Sequence, residues 1–177
     1  MRNLKNNRGF TLIEMMIVGA IIGILAGMAG ATWYLGLNHA SLRTDARDIA
    51  SALRKAKQLA VTTNNLYQVY FDISNKIYQI EDCSAGCTLS PPAHGVVVGS
   101  PVNLMNTTFG HKPINLSKIV DSASTAYSSG NFSIQFASNG TATFTSGISV
   151  NITLARTDGN SETKVISVNN MGRVQVP

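Results

Sequence analysis

Few of the 177 residues offer reactive chemistry, and the most telling of them stand at the start of the chain. Arg8-Gly9-Phe10-Thr11-Leu12-Ile13-Glu14 begins with a base and a glycine and puts a carboxylate inside a strongly apolar stretch. No further Asp, Glu, Lys or Arg occurs from Met15 to Leu37. A carboxylate in hydrocarbon costs on the order of 2.5–3.5 kcal/mol at a helix centre and less near an end, so Glu14 calls for a cation. A cut between Gly9 and Phe10 would create one, the new α-amino group at the start of the same segment. That amine pairs only weakly with Glu14 of its own chain, but it can pair directly with Glu14 of a staggered neighbour and so set an axial register. The alternative is an interfacial acid that snorkels to the headgroup layer.

The remaining reactive side chains do not assemble into a catalyst. Cys83 and Cys87, in Cys-Ser-Ala-Gly-Cys, are the only cysteines. In an exported domain such a pair closes a disulfide, and Gly86 gives the short loop freedom to close. A free thiol pair, or a metal site drawing on His94 and His111, are the alternatives, the latter without finger spacing. His39 falls in a helical stretch. No phosphate loop, dinucleotide fingerprint or nucleophile elbow occurs. Glu81-Asp82 is the only adjacent acid pair of the second half and reads as a solvated strand end. The chain reads as the substrate of an enzyme and not as an enzyme, with no cofactor and no metal.

The elements that carry these residues follow from hydropathy. Met15–Leu37 is 23 residues without a formal charge, enough to cross a bilayer as a tilted helix. Arg2, Lys5 and Arg8 precede it, so the N-terminus stays cytoplasmic and the rest is delivered outside. A cleaved secretory signal is the competing reading, but no small-x-small site precedes a polar start. Gly19, Gly23 and Gly27 recur every four residues, a small-residue stripe that permits close helix approach or simply reflects the glycine content of membrane helices. Beyond the run, Leu42, Ala46, Ile49, Leu53, Ala56 and Ala60 are spaced 4-3-4-3-4, an apolar seam at helical period. The spacing predicts one helix over 10–65, ended by Thr62-Thr63-Asn64-Asn65, with a sheet packed closely on the small residues of the seam.

From Leu66 the period becomes two. Leu66–Ile73 and Lys76–Glu81 read as a hairpin around Ser74-Asn75. Val96–Val98, Phe132–Ala137, Thr141–Phe144, Ile148–Ala155, Thr163–Asn169 and Arg173–Val176 are further strands, with Asn139-Gly140 a hairpin signal. The interval 84–130 lacks regular pattern and reads as an excursion that carries a partner surface. The net charge of +5 comes from the N-terminal third. From residue 64 on, Lys76, Lys112, Lys118, Arg156, Lys164 and Arg173 balance Asp72, Glu81, Asp82, Asp121, Asp158 and Glu162, which weakens a nucleic-acid reading.

The basic leader, Gly-Phe-Thr-Leu-Ile-Glu and the uninterrupted apolar run resemble the class III signal of type IV pilins and type II secretion pseudopilins. The resemblance covers residues 1–37. It implies that prepilin peptidase cuts after Gly9 and that Phe10 becomes the N-methylated first residue of the mature chain. It also makes Glu14 the fifth-position glutamate of assembly. Many major pilins have a proline where this chain has Ala31.

The C-terminal half, from Phe132-Ser-Ile-Gln-Phe to Gly172-Arg-Val-Gln-Val, resembles the pseudopilin H and FimT/FimU group. That implies a minor, low-copy subunit. In FimT-type pilins of natural transformation a Gly-Arg-x-Arg end contacts DNA; here Gly172-Arg173-Val174-Gln175 keeps one of the two arginines.

The expected fold is α+β. A leader of residues 1–9 precedes a transmembrane and filament-core helix over 10–37 and an amphipathic helix over 38–65. These lead into an antiparallel β head over 66–177. The expected function is a minor pilin or pseudopilin that primes assembly or forms the tip. It would sit in the bacterial inner membrane with its head periplasmic, then in the pilus or pseudopilus. Its partners would be prepilin peptidase, other pilin subunits, the inner-membrane assembly platform and, before assembly, the membrane. The alternatives are a DNA-binding minor pilin for natural transformation, with Arg173 as the contact, and a single-span membrane-anchored β-domain protein outside the class.

Overall fold

A computed structural model describes residues 11–89, 94–104, 114–156 and 162–177, with the side chains of residues 29–41 outside the description. Among the described residues one helix, α1 (Leu12–Thr63), leads into eleven strands. Thr11 starts it: its carbonyl accepts from the Glu14 and Met15 N–H groups at 3.1 and 3.3 Å, and its hydroxyl caps the Glu14 N–H at 3.3 Å. At the other end the Thr62 and Thr63 hydroxyls bond back to the Gln58 and Leu59 carbonyls at 2.9 and 2.8 Å. Asn64 then turns left-handed, with φ 55°, a conformation that stops a helix and that asparagine tolerates well.

The chain divides into two compact units, residues 1–37 and 38–177. In the second, β1 (Tyr67–Asp72), β2 (Ile77–Asp82), β3 (Val96–Val97), β4 (Val102–Asn103), β7 (Asn131–Phe136) and β8 (Ala142–Thr143) form one sheet, ordered β3-β2-β1-β7-β8, with β4 also pairing β2. β5 (Ile114–Asp121), β6 (Ala126–Tyr127), β9 (Ser149–Arg156), β10 (Thr163–Asn169) and β11 (Val174–Gln175) form the other, ordered β11-β10-β9-β5-β6. Every pairing is antiparallel. The Asn139-Gly140 signal marks a real reversal, with the Gly140 N–H on the Ala137 carbonyl at 2.8 Å. The head therefore holds two sheets, and the helix seam lies in a single core with both. Leu42, Ala46, Ile49, Leu53, Ala56 and Ala60 are all 0% exposed and cluster with Val69, Phe71, Ile134 and Phe136 of the first sheet and Leu116, Ile152, Ile166 and Val168 of the second. Ala50, which the seam pattern passed over, is buried with them.

The expectation of an irregular excursion over 84–130 is corrected by β5. This eight-residue strand pairs along most of its length with β9 and buries Ile114, Leu116, Ile119 and Asp121. Its buried residues step 2-3-2 because the register shifts between Leu116 and Lys118. A bulge inserts a residue and breaks the period of two that sequence reading depends on.

The face of β1, β2 and β7 that points away from the apolar core is polar, yet buried. Gln68 stands opposite Glu81 on one side and Gln135 on the other, and all three are buried. This corrects the reading of Glu81-Asp82 as a solvated strand end. The Glu81 carboxylate is fully buried and accepts from Gln68 Nε2 and Gln79 Nε2, both at 2.5 Å, and from the Gly95 N–H at 3.0 Å. The His94 Nδ1 lies 2.8 Å from it, and the His94 ring packs on Tyr70 with centroids 4.3 Å apart. Asp82 is half-buried and accepts from the Ser84 N–H at 2.8 Å. Burial pushes the Glu81 carboxyl up, but the bonds from His94, Gly95, Gln68 and Gln79 outweigh it and hold the group below its ordinary value. Cys83 and Cys87 close a disulfide at the end of β2, with Cα atoms 5.2 Å apart. Gly95 packs so tightly there that a Cβ would run into the Asp82 carbonyl and press on the Cys87 sulfur.

Two stability predictions follow from this corner. Because the folded Glu81 titrates below its unfolded value, its contribution is present above the unfolded value and is lost as pH falls through the folded one. Acid unfolding should therefore begin on the acid side of about pH 4 and flatten in Glu81→Gln, which itself should cost about 1–3 kcal/mol by chemical denaturation at pH 7. Replacing both Cys83 and Cys87 by Ser should cost about 2 kcal/mol, since so short a loop restrains little unfolded-chain entropy. Adding reductant to the parent protein should reproduce that loss.

Candidate functional site

The described first half of α1 exposes its apolar side chains. Leu12, Ile13, Met15, Met16, Ile17, Val18, Ile21, Ile22, Ile24, Leu25 and Met28 are exposed, at 45–78%. At 100° per residue these positions cover the whole circumference of the helix, the pattern of a segment buried on all sides in its working environment. A Cβ placed on Gly19, Gly23 or Gly27 would meet nothing within 4 Å, so the glycine stripe is open. Among the described residues no helix is long and apolar enough to cross a membrane; within the Met15–Leu37 run the described side chains end at Met28.

Gly9 and Phe10 lie outside the described residues. Glu14 sits in the first turn of α1 and is exposed. Thr11-Leu12-Ile13-Glu14 has the Thr-x-x-Glu spacing of a capping box, a signal legible in the sequence that sequence reading missed. A carboxylate in a first turn also meets the positive end of the helix dipole. Through its backbone N–H, Glu14 bonds both the carbonyl and the hydroxyl of Thr11 at the start of α1.

The other expected contact residue, Arg173, is exposed beside the last turn of the chain. Asn169 Oδ1 accepts from the Arg173 N–H at 2.9 Å and the Asn169 carbonyl from the Gly172 N–H at 2.9 Å. Gly172 adopts φ 66°, and a Cβ there would run into the Gly140 carbonyl, so only glycine fits. With the Gln175 amide oriented to put its oxygen toward Arg173, that oxygen accepts from Nη2 and Nε at 3.0 and 3.2 Å. The residue standing in place of a second arginine therefore holds the first.

Sequence reading also missed that the helix bases belong to this edge. Lys57 Nζ donates to the Met171 and Gly172 carbonyls at 3.0 and 3.2 Å, and Arg54 Nη2 to the Val174 carbonyl at 3.3 Å. Arg43 and Arg47 share a recess with Lys164, Val176 and Pro177. These bases lie far apart in sequence from their neighbours, and nothing in local spacing announces the contact. The acids of the same helix act elsewhere: burial, then Asp48 and Asp45, push the Tyr78 hydroxyl on β2 up to about 12.

Of the residues considered for a metal, His94 is committed to Glu81 and both cysteines to their disulfide, and His111 lies outside the described residues. Among the described residues no group of three or more His, Cys, Asp or Glu could hold a metal ion.

The chain matches the model of the prokaryotic N-terminal methylation motif over residues 4–30 and that of the type II transport protein GspH over residues 45–172. No curated protein matches it in sequence. Among solved structures it is similar to the type IV minor pilin FimU of Pseudomonas aeruginosa strain PAO1, with a TM-score of 0.52 at 15% identity, covering 78% of this chain and 90% of that one. It is also similar to the minor pseudopilin EpsH from the Type 2 Secretion System of Vibrio cholerae, with a TM-score of 0.52 at 9% identity, covering 77% of this chain and 96% of that one. At such identities the likeness is one of fold, an N-terminal helix with antiparallel sheets. The GspH match spans well over half of the chain, beginning after the methylation motif: the chain belongs to the GspH family.

Proposed function

We propose that the chain is a minor pilin or pseudopilin, a structural subunit of a type IV pilus or type II secretion filament that primes assembly or forms the tip. The observation that carries this is a single helix with two surfaces. Its second half is buried in its own head, while its first half exposes apolar side chains all round. Each large apolar side chain gains roughly 1.5–3 kcal/mol on full burial, so the exposed half strongly favours an apolar environment. Lipid supplies one before assembly and the helices of neighbouring subunits supply one after it. The apolar run continues in sequence to Leu37, a length that supports a single span with the basic leader on the cytoplasmic side.

The family motif supports removal of residues 1–9 by prepilin peptidase and N-methylation of Phe10. Cleavage creates a cation next to the positive end of α1, where it is disfavoured by the helix dipole. Glu14, three residues beyond the Thr11 cap, offsets that charge locally and can pair with the amine of a staggered neighbour. No enzymatic role is proposed; the head presents the surface, and the assembly platform in the inner membrane does the work of extraction.

Gly9→Val should leave the leader attached and hold the protein in the membrane, while mass spectrometry of the parent should find N-methylated Phe10 as the first residue. A mature start beyond Ala26 would establish an ordinary secretory signal instead. Glu14→Val should be cleaved normally but enter filaments poorly. Glu14→Gln separates the two roles of this residue, since glutamine keeps the capping geometry and lacks the charge. If charge pairing sets the register, both variants should fail in filament incorporation; rescue by Gln would reduce Glu14 to a capping residue.

A further inference from the structure

Two different bonds meet on Gly95, at the end of β2. The buried Glu81 carboxylate is fixed by Gln68 and Gln79 Nε2 and accepts from the Gly95 N–H at 3.0 Å, with His94 Nδ1 at 2.8 Å. Gly95 also packs on the disulfide. A Cβ there would stand 3.0 Å from the Cys87 sulfur and would run into the Asp82 carbonyl. β3 follows at once: Val96 pairs with Asp82 and Val97 with Glu81. Burial adds little to hold this strand. It is two residues long, its valines are 65% and 40% exposed, and neither belongs to the core. One further backbone bond, from the Val98 N–H to the Ile80 carbonyl at 2.8 Å, continues the pairing. A short, exposed edge strand of this kind opens locally unless something else pins it.

The two ends of the disulfide are not equally fixed. Cys83 is buried, and its N–H donates to the Leu66 carbonyl at 2.9 Å. Cys87 is half-buried and follows Ser84, Ala85 and Gly86, all exposed, so its sulfur is the one open to an external thiolate. A dithiol attacks there. A new S–S bond forms to Cys87, the Cys83 sulfur leaves as thiolate, and the second thiol of the reagent displaces Cys87 and closes its own disulfide. Two electrons and two protons pass to the cysteines. The freed sulfurs then move from bonding distance to van der Waals separation. Gly95 leaves Cys87 no room on its side, so Cys87 either swings out with the exposed loop or displaces Gly95. Both motions remove the contact that seats Gly95 on Glu81. We propose that the disulfide and Glu81 form one redox-sensitive latch on β3: reduction by a dithiol releases Gly95 from the carboxylate and β3 from β2, while the rest of the head stays folded. Release opens the Glu81–Asp82 edge of β2, and an unpaired strand edge is a template for pairing with another chain. The oxidised latch keeps that edge covered.

Amide hydrogen exchange of the full chain in detergent micelles, read by NMR at single residues, tests the latch. Cys83 and Cys87 are the only cysteines, so dithiothreitol acts on this disulfide alone. Adding it should speed exchange at Gly95 and Val98 about tenfold or more beyond any rise in the core, the equivalent of one hydrogen bond to a charged group. The reference amides are the Ile73 N–H, on the Gly130 carbonyl, and the Leu104 N–H, on the Lys76 carbonyl. Cys83→Ser with Cys87→Ser should show the reduced pattern without reagent, and Glu81→Gln should show it with the disulfide intact. Because the two holds act as one unit, reducing Glu81→Gln should add little. Unchanged exchange at Gly95 and Val98 in the reduced parent would overturn the proposal. So would an equal rise at Ile73 and Leu104, which makes the disulfide a support of the whole head. A full second increase on reducing Glu81→Gln would make the two holds independent and overturn the single latch. The parent and the double-serine chain decide the redox claim even where Glu81→Gln does not fold.

Discussion

The structure depends on the burial of small side chains along one stripe of α1. Ala46, Ala50, Ala56 and Ala60 are fully buried with Leu42, Ile49 and Leu53, and they admit the strands of both sheets to close range. Larger residues at these positions would force the sheets away from the helix, and overpacking a filled core typically costs about 1–3 kcal/mol. Without the seam neither sheet would have a partner for its apolar face. The head therefore cannot be separated from the second half of the helix, although the change of period at Leu66 makes that boundary look natural in the sequence.

The same helix carries the opposite condition in its first half, where the described apolar side chains from Leu12 to Met28 are exposed. Stability and assembly are thus divided along one element. The seam fixes the head, while the described side chains of the first half stay exposed. Glu14 and its Thr11 cap stand at the far end of this division, where Glu14 is exposed in the first turn of α1.

Much of this was legible in the sequence, because it depends on local period. The helix seam, the β1–β2 hairpin, the Asn139-Gly140 reversal and the last three strands all announce themselves through spacing and turn residues. What was not legible depends on distance along the chain. β5 was hidden by a one-residue bulge, and Glu81 looked solvated because its donors Gln68, Gln79, His94 and Gly95 come from separate segments. The link from Arg54 and Lys57 to the Gly172 turn joins residues more than a hundred positions apart. The opposing case is Thr11, whose capping role was readable from Thr-x-x-Glu and was passed over because Glu14 invited a longer-range explanation.

The central claim is that the exposed half of α1 is kept from water in the working protein, by lipid or by neighbouring helices. The most direct measurement is the reactivity of a single cysteine placed at Ile22 toward a water-soluble, membrane-impermeant maleimide; the native cysteines are occupied by their disulfide. The account predicts that this cysteine is protected in membranes and in assembled filaments, and reacts freely only after unfolding in detergent-free denaturant. Free reaction in the native membrane fraction and in filaments alike would contradict it.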